Sequence, residues 1–326
     1  MIRRLARLCA AVLVSGFVAV PASAAPFRIG AHRSVHGSWE VVAHKMGYFK
    51  EAGLDYKMQY FKQGKLIAQA LLTDSLDVGT VGVAAFVTSV GKGAKLTAIA
   101  VTANICGTEW IVVPSGSKAR SVKDLKGATF AVRTGEGTDF AFKSYILPKS
   151  GMTEKDLKWL NIATTDRVAA MLAGNAQAAI LDDPQAEIAR SKGLVRFLGD
   201  FCPYDNIRMM HAGNPATLKR DPGAYEKYFR AWLRAHDLKK KDPEKYARVY
   251  TGALAETGDK GEYPVVLAVV KRLRSEPAIT PEVKAYMVDM AEKQKKLGWI
   301  KTVPAFDKGE AVDGSIFDKV AASQRN

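Results

Sequence analysis

The sequence predicts an α/β protein that is built as two lobes. Short apolar runs alternate with amphipathic segments, first from Phe27 and then again from Trp110. Strands separated by helices of about 10–15 residues are typical of parallel βαβ units. From Tyr225 onwards the periodicity is almost wholly helical. Two α/β modules followed by a helical tail therefore predict a first lobe that the chain leaves and later re-enters.

The first residues have the pattern of a secretory signal peptide. Three arginines lie within residues 1–7, residues 8–20 are apolar and uncharged, and residues 22–24 are Ala-Ser-Ala. A basic start, an apolar stretch and a small-residue cleavage site are the three parts of such a leader. The apolar stretch is shorter than the roughly 20 residues of a membrane-spanning helix. We expect cleavage after Ala24 and export to the periplasm.

The length of the remaining chain predicts two lobes. Removal of the leader leaves 302 of the 326 residues, which is more than one ordinary core accommodates. We expect the first lobe to comprise residues 25–107 and 212–326, and the second lobe to comprise residues 108–211. The chain then crosses between the lobes twice, and these crossings form a hinge. We place them near residues 107–110 and 207–213.

The elements of the first module follow from apolar periodicity. Trp39, Val42 and Met46 recur at near-helical spacing within residues 38–51, and Gly53 ends that helix. Apolar and polar side chains alternate along residues 54–60, which indicates a strand. Further strands of this module are predicted at residues 27–30, 76–81 and 96–102. Its further helices are predicted at residues 65–72 and 83–90.

The same criteria apply to the second module and the tail. Strands are predicted at residues 110–113, 128–132, 157–162, 178–181, 194–198 and 207–211. Helices are predicted at residues 122–127, 139–147, 166–173 and 185–192. The tail is predicted to consist of helices at residues 225–239, 243–250, 263–272 and 281–296.

The chain is basic, but its charge is spread out. Its formal net charge is +15, and the three leader arginines bring the value for the remainder to +12. The only basic run is Lys239-Lys240-Lys241, and basic residues do not alternate with aromatic ones as in surfaces that stack bases. We therefore expect no nucleic-acid partner. The charge indicates either a solvated basic surface or a modest preference for anionic ligands.

Several short motifs follow one another in a characteristic order. They are Phe27-Arg28-Ile29-Gly30, Lys45-Met46-Gly47-Tyr48-Phe49, Asp77-Val78-Gly79, Asp124-Leu125-Lys126-Gly127, Gly135-x-Gly137-Thr138, Leu181-Asp182-Asp183-Pro184 and Asn214-Pro215. In this order the chain resembles the nitrate, sulfonate and taurine solute-binding proteins of ABC importers, together with their thiamine-precursor relatives. The resemblance implies a type II periplasmic-binding fold and a small-molecule ligand held between the lobes. It also implies a monomer that delivers its ligand to an inner-membrane ABC permease, with no cofactor and no catalytic activity.

The candidate ligand site lies at the ends of the predicted strands. Ligands of open α/β sheets bind beyond the carboxyl ends of the strands, where helix N-termini offer free N–H groups. From those strand ends, the first crossing and the adjoining helix starts, the predicted ligand-binding residues are His32, Ser34, His36, Trp39, Gln63, Gly82, Glu109, Trp110, Arg133, Thr134, Gly135, Thr138, Thr165, Asp182 and Asp183.

Some of these residues have an equally simple structural interpretation. Trp39 lies on the apolar face of its helix, and Asp183 before Pro184 is a common way to begin a helix. Arg133 could form an ion pair with Asp182 or Asp183 instead of contacting a ligand.

The candidate residues favour two kinds of ligand group. Arg133 and the helix that begins after Gly135 favour an anionic, sulfonate-like group. In contrast, Glu109, Asp182 and Asp183 fit a cationic or hydrogen-donating group. A zwitterion such as an amino-sulfonate, or an aminopyrimidine, satisfies both.

Other functional classes find less support. The chain has no Gly-x-Ser-x-Gly motif of an α/β-hydrolase, and Gly135-x-Gly137 lacks the third glycine of a dinucleotide site. His32 and His36 could ligate a metal with Glu109 or Asp182, but no third histidine belongs to this loop, and we expect no metal. A ligand sensor that docks on a membrane kinase remains an open alternative.

Residues 25–326 contain two cysteines, Cys106 and Cys202. Export would place them where disulfides form. However, if the crossing strands bring Trp110 beside Ala212, the cysteines lie on opposite sides of the hinge. Their separation then exceeds the roughly 7 Å between Cα atoms that a disulfide can bridge. We therefore expect two free thiols.

Overall fold

Two five-stranded sheets organise the protein in a computed structural model that describes residues 25–61, 63–202, 208–256, 261–307 and 309–324. The predicted signal peptide lies outside the described residues. Each sheet, together with the helices packed on it, forms one lobe. In chain order the strands are β1 Phe27–His32, β2 Tyr56–Phe61, β3 Val78–Gly82, β4 Thr97–Asn104, β5 Glu109–Pro114, β6 Thr129–Val132, β7 Lys158–Asn161, β8 Ala178–Asp182, β9 Val195–Asp200 and β10 Arg208–Gly213.

The first sheet has the strand order β2-β1-β3-β10-β4. Strand β1 runs parallel to β2 and to β3, as the alternation of strands and helices predicts. Strand β10 is inserted antiparallel between β3 and β4. Residues 208–211 therefore belong to the first sheet, and the prediction that assigned them to the second lobe is wrong. An apolar run predicts a strand but not the sheet that the strand joins.

The second sheet repeats this arrangement, with the order β7-β6-β8-β5-β9. Strand β6 runs parallel to β7 and to β8, while β5 runs antiparallel to both β8 and β9. Because β5 and β8 are in antiparallel register, Glu109 lies opposite Asp182 and Trp110 lies opposite Leu181. This register determines which side chains of the two strands share a face.

The helices surround the two sheets. They are α1 Ser38–Lys45, α2 Tyr48–Glu51, α3 Gly64–Leu72, α4 Val83–Gly91, α5 Gly137–Ala141, α6 Leu147–Lys149, α7 Thr164–Leu172, α8 Gln185–Ser191, α9 Pro215–Arg220, α10 Pro222–Lys241, α11 Pro243–Glu256, α12 Tyr263–Arg272, α13 Pro281–Lys296 and α14 Ser315–Ser323. A π-helical turn joins α5 to α6. None of the described helices is both long enough and apolar enough to cross a bilayer.

Most predicted helices are present, with small shifts at their ends. Helices α12 and α13 occupy the predicted residues. The helix predicted at residues 38–51 is divided into α1 and α2 at Gly47, whose φ of 74° lies in the left-handed region that glycine tolerates. Helices α9 and α14 lie in segments for which no helix was predicted.

The helical tail packs mainly on the first lobe. Helix α10 contacts α1, α2, α11 and α14, and its aromatic side chains are fully buried. The ring of Tyr225 lies 4.9 Å from that of Phe27 on β1, and the ring of Trp232 lies 5.6 Å from that of Trp39 on α1. Burial of an aromatic side chain contributes roughly 1.5–3 kcal/mol, so this cluster anchors the tail to the first sheet.

A disulfide joins the two crossings between the sheets. Cys106 lies between β4 and β5, Cys202 follows β9, and their Cα atoms are 4.7 Å apart in the bonded pair. The prediction of two free thiols is therefore wrong. It assumed that Trp110 lies beside Ala212, whereas Trp110 lies opposite Asp200 of β9. This register brings Cys202, two residues further along the chain, beside the first crossing.

Candidate ligand-binding site

The two sheets face a common cavity of about 710 Å³, called the cleft below. Residues of both sheets and of the helices that follow their strands line it. Eleven of the fifteen predicted site residues lie there, namely His32, Ser34, His36, Gln63, Gly82, Glu109, Arg133, Thr134, Gly135, Thr138 and Asp182. The strand ends therefore converge on one place, as expected of the carboxyl edges of α/β sheets.

On the first-sheet side of the cleft, the loop after β1 carries neutral polar groups, and the exposed Lys65 and Lys92 line the cleft from α3 and from the end of α4. Nδ1 of His32 lies 2.7 Å from Oγ of Ser34, which lies 3.2 Å from Nδ1 of His36. Nε2 of His36 lies 2.8 Å from the hydroxyl of Thr108 in the first crossing. Because that hydroxyl donates to the carbonyl of Ile105, it accepts from His36, whose proton is thereby placed on Nε2.

Burial keeps both histidines of this wall uncharged. Desolvation lowers the pKa of His32 to about 4 and, together with the nearby His32, lowers that of His36 to about 3. The loop that holds them is tight at Gly37, where a Cβ atom would lie 2.1 Å from the backbone oxygen of His32. A side chain at this position would therefore displace the loop and the histidines with it.

The wall formed by the second sheet carries charged groups instead. Glu109 of β5 and Asp182 of β8 lie directly opposite each other in the antiparallel pair, and both line the cleft. Side chains directly opposite in such a pair have Cβ atoms about 4.5–5.5 Å apart. Burial raises the pKa of both carboxyls, and for Glu109 the adjacent Asp182 raises it further. Two carboxylates this close resist being ionised together.

Arg167 is the buried cation of this wall. It lies in the first turn of α7, and only 2% of it is exposed. Its guanidinium donates to the backbone oxygen of Ile180 at 2.7 Å and to that of Ile162 at 3.3 Å. The remaining nitrogen, Nη2, makes no hydrogen bond within the described residues, and its nearest anionic atom is Oε2 of Glu136 at 3.9 Å. Arg167 therefore borders the cleft with one free donor group.

The loop between β6 and α5 supplies a second cation. Nη1 of Arg133 lies 3.6 Å from Oε1 of Glu136, so neither Asp182 nor Asp183 is the partner of Arg133. The N–H of Thr134 donates to the side chain of Asn161, and the N–H of Gly135 donates to that of the buried Asp139. These two donors are used within the protein, which leaves fewer groups for an anion at this helix start than the sequence suggested.

Trp39 and Trp110 do not line the cleft. Trp39 is 1% exposed and packs among Trp232, His236 and Tyr246 in the interior of the first lobe. Trp110 stacks on Phe197, with the ring centroids 4.0 Å apart. The structure therefore does not bring these two predicted residues into the cleft with the others.

Asp183 and Thr165 also lie away from the cleft, each beside a residue that faces it. Asp183 is fully buried and accepts hydrogen bonds from Arg272 and from the indole of Trp110. Burial raises its pKa to about 6, although Arg272 opposes the shift. Thr165 is exposed, and Thr164 lines the cleft in its place. Because side chains alternate across a strand, Asp182 and Asp183 point to opposite faces.

Other lining residues were not among the predicted site residues. They include Lys65, Thr88, Lys92, Glu136, Thr164, Arg167, Met209 and Trp299. One feature of the sequence could have identified Arg167 as a candidate. It is a cation in the first turn of a helix, where the helix dipole disfavours positive charge. Met209 and Trp299 approach the cleft from β10 and from the segment after α13, through contacts that no local pattern indicates.

The described residues contain no group of three or more histidine, cysteine or acidic side chains that could hold a metal ion. Both ring nitrogens of His36 lie within hydrogen-bonding distance of hydroxyl groups. The polar and charged groups that line the cleft can form hydrogen bonds and charge pairs with a small molecule.

Comparisons with known proteins agree with this architecture. Residues 38–246 match the family described as NMT1/THI5 like. A Brucella abortus protein named only as a binding protein is 26% identical over 225 residues, which cover 67% of this chain and 68% of that protein.

Solved structures show the same fold. The periplasmic aliphatic sulphonate binding protein SsuA of Escherichia coli superposes with a TM-score of 0.76 at 20% identity, covering 86% of this chain and 90% of that one. The periplasmic nitrate-binding protein NrtA of Synechocystis superposes with a TM-score of 0.73 at 12% identity, covering 91% and 88%. These likenesses confirm the predicted periplasmic-binding fold, and the match over residues 38–246 shows that the chain belongs to the NMT1/THI5-like family.

Proposed function

We propose that the protein is the extracytoplasmic solute-binding component of an ABC importer. It holds a small molecule in the cleft and passes it to an inner-membrane permease. The observation that carries this proposal is a cleft lined by polar groups of both sheets, with the chain crossing between the sheets twice. A ligand that contacts both lobes in one arrangement favours that arrangement over a more open one.

The names of the fold relatives support this role. SsuA of Escherichia coli and NrtA of Synechocystis are periplasmic proteins that bind a sulphonate and nitrate, respectively. A similar protein from Staphylococcus aureus is the ligand-binding component of an ABC-type import system. By the same reasoning the chain acts in the periplasm, and we extend the proposal to a monomer, as the family resemblance implies. Its first lobe comprises residues 25–107 and 208–326, and its second lobe comprises the segment between them.

A binding role without catalysis is supported by the state of the candidate nucleophiles. Cys106 and Cys202 are bonded to each other, which removes both thiols of residues 25–326 as nucleophiles. His211 and His236 are buried in the first lobe, 0% and 4% exposed.

Export is tested by intact mass. We predict that protein isolated from the cell envelope begins at Ala25, because residues 22–24 provide the small-residue cleavage site. A measured mass that retains residues 1–24 would contradict export by a cleaved leader.

Binding is tested by thermal shift on residues 25–326 with a panel of sulfonates, nitrate, aminopyrimidines and small amines. A ligand at 100 times its Kd adds about 2.7 kcal/mol to the free energy of unfolding, which raises the Tm by several degrees. The receptor hypothesis also predicts that the bound compound is recovered chemically unchanged. Conversion of the compound by the protein would favour the enzyme alternative, and a panel without any stabilising compound would contradict the proposal.

A further inference from the structure

The second-sheet wall of the cleft carries more acid than its cations neutralise. Three carboxylates, those of Glu109, Glu136 and Asp182, face two guanidinium groups, those of Arg133 and Arg167. Arg133 is paired with Glu136. Among the described residues of this wall, Arg167 is therefore the cation that acts on the opposed carboxylates of β5 and β8.

Arg167 is held so that it cannot neutralise both of these acids. Two of its nitrogens donate to backbone carbonyls of the second lobe, which leaves Nη2 unpaired and 98% of the residue buried. Its closest approach to a carboxylate is 3.9 Å, to Glu136. A buried charged donor without a partner is costly. An acceptor atom of a ligand would relieve this cost.

We propose that the ligand carries a protonated or N–H-rich nitrogen group, such as an amine, an amidine or an amino-substituted heterocycle, which is held between the carboxylates of Glu109 and Asp182. An acceptor atom of the same ligand then receives the free donor of Arg167. This inference rests on the proposed function and names the substrate class of that site. It predicts that a purely anionic solute is a poor ligand.

The first-lobe side of the cleft adds two cations, Lys65 and Lys92, and both are exposed to solvent, whereas Glu109 and Asp182 are desolvated. His32 and His36 are uncharged, since burial lowers the pKa of both. Asp183 lies behind the second-sheet wall in an ion pair with Arg272, so the pair adds no net charge. A simple anion placed between Glu109 and Asp182 would therefore meet two acids and one buried cation, whereas a cationic nitrogen group placed there would meet complementary charge.

Proton exchange provides an independent signature of the proposed contact. Burial and the proximity of Asp182 raise the pKa of Glu109, so the empty pair retains a proton over part of the accessible pH range. A cationic group takes the place of that proton, which is released to the buffer. Affinity for a cation therefore rises as pH rises, by at most about tenfold per pH unit for one proton released. Affinity for an anion would change in the opposite direction.

The test uses matched probes that differ in one charged group. Taurine and isethionate share a sulfonate and differ in an ammonium group against a hydroxyl. Benzamidine and benzamide form a second pair, and sodium methanesulfonate serves as a plain anion. Thermal shift at 50 mM of each probe is expected to show stabilisation by the cation-bearing member of at least one pair, with a shift at least twice that of its partner.

Variants locate the contact. Glu109→Gln and Asp182→Asn are each expected to weaken binding of the cation-bearing probe about tenfold or more and to flatten its pH dependence. Glu244→Gln, at an exposed position on α11, is the matched control and should change neither quantity. Calorimetry in phosphate and in Tris buffer should give different observed enthalpies for the original chain and equal ones for Glu109→Gln.

Two results separate failure of this inference from failure of the proposed function. If isethionate or methanesulfonate stabilises the protein as well as taurine does, the cation site is wrong and the receptor role stands. If no probe and no compound of the wider panel stabilises it, both are wrong. Binding of a cation-bearing probe that both carboxylate variants leave unchanged would likewise overturn the assignment to Glu109 and Asp182.

Discussion

Burial disfavours the ionised form of two acidic side chains, Glu40 in the first lobe and Glu109 in the second, but the surroundings of the two carboxyls differ. Glu40 is 0% exposed and accepts hydrogen bonds from Thr80 at 2.8 Å and Tyr228 at 3.1 Å. Glu109 lies on the wall of the cleft opposite another acid. The pKa of both is raised, chiefly by burial. Oε1 of Glu40 accepts both bonds and Oε2 has no hydrogen-bond partner within the described residues, whereas the carboxyl of Glu109 is left open to a ligand.

This difference predicts which property, stability or ligand binding, changes when each carboxyl is protonated. Protonation of Glu40 should change the stability of the first lobe without changing binding. Protonation of Glu109 should change binding. The first lobe thus holds Glu40 in a well-packed interior, whereas the second lobe places Glu109 where the proposed ligand would bind.

The largest effect is expected from removal of the buried cation of the second lobe. Arg167→Leu leaves the acids of the cleft without their buried neighbour and two carbonyl groups without a donor. We expect a loss of about 3–5 kcal/mol in the free energy of unfolding, the range found when one partner of a buried charged group is removed. Urea denaturation measures it. A loss below about 1 kcal/mol would mean that the charges of this wall are largely solvated.

The disulfide between the crossings should contribute almost as much. Cys106 and Cys202 are 96 residues apart, and closing a loop of that length removes much of the freedom of the unfolded chain. Replacing both with serine is expected to lower stability by about 2–5 kcal/mol. Alkylation of residues 25–326 under denaturing conditions without reductant should label neither cysteine. Labelling of both would contradict the strand register between β5 and β9.

Glu40→Gln tests the first-lobe side of the comparison. Burial raises the pKa of Glu40 from 4.5 to about 7, so the folded protein binds a proton more tightly than the unfolded chain does. The contribution of Glu40 to the free energy of unfolding is therefore largest below about pH 4.5. It falls as pH rises towards 7, by up to about 1.4 kcal/mol per pH unit. Glutamine at this position should flatten that slope while ligand affinity stays unchanged. An unchanged slope would show that Glu40 is ionised throughout.

The smallest effect is expected from Arg133→Ala. Arg133 pairs with the partly exposed Glu136 at 3.6 Å, and such a pair contributes about 0–1 kcal/mol to stability. We expect stability to change by less than about 1 kcal/mol and binding to weaken by up to tenfold, about 1.4 kcal/mol, if the anionic part of the ligand reaches this loop. Calorimetry with the identified ligand measures the second quantity. Unchanged affinity would place the anionic part of the ligand elsewhere.

Local patterns predicted the order of elements well, because periodicity is a property of neighbouring residues. They did not predict pairing across the molecule. The position of β10 in the first sheet and the disulfide both depend on strand register over long distances, and no spacing within one segment encodes that register.

The candidate site shows the same limit at the scale of single residues. The end of β8 identified Asp182, because the carboxyl ends of strands can be read from the sequence, and the first crossing between the lobes identified Glu109. Asp183 was added to the site although strand alternation turns it away from the cleft. Trp39 was added because an aromatic residue on an apolar helix face resembles a ligand platform as much as a core residue. Arg167 was missed, since its direction depends on carbonyl groups of two other segments.

A crystal structure of residues 25–326 with the most strongly stabilising compound tests the central claim most directly. The account predicts an unaltered ligand in the cleft that contacts both walls, with a nitrogen group within hydrogen-bonding distance of Glu109 and Asp182. A ligand bound outside the cleft would contradict the receptor mechanism. A ligand in the cleft whose nitrogen groups avoid both carboxylates would contradict the division of roles between the lobes.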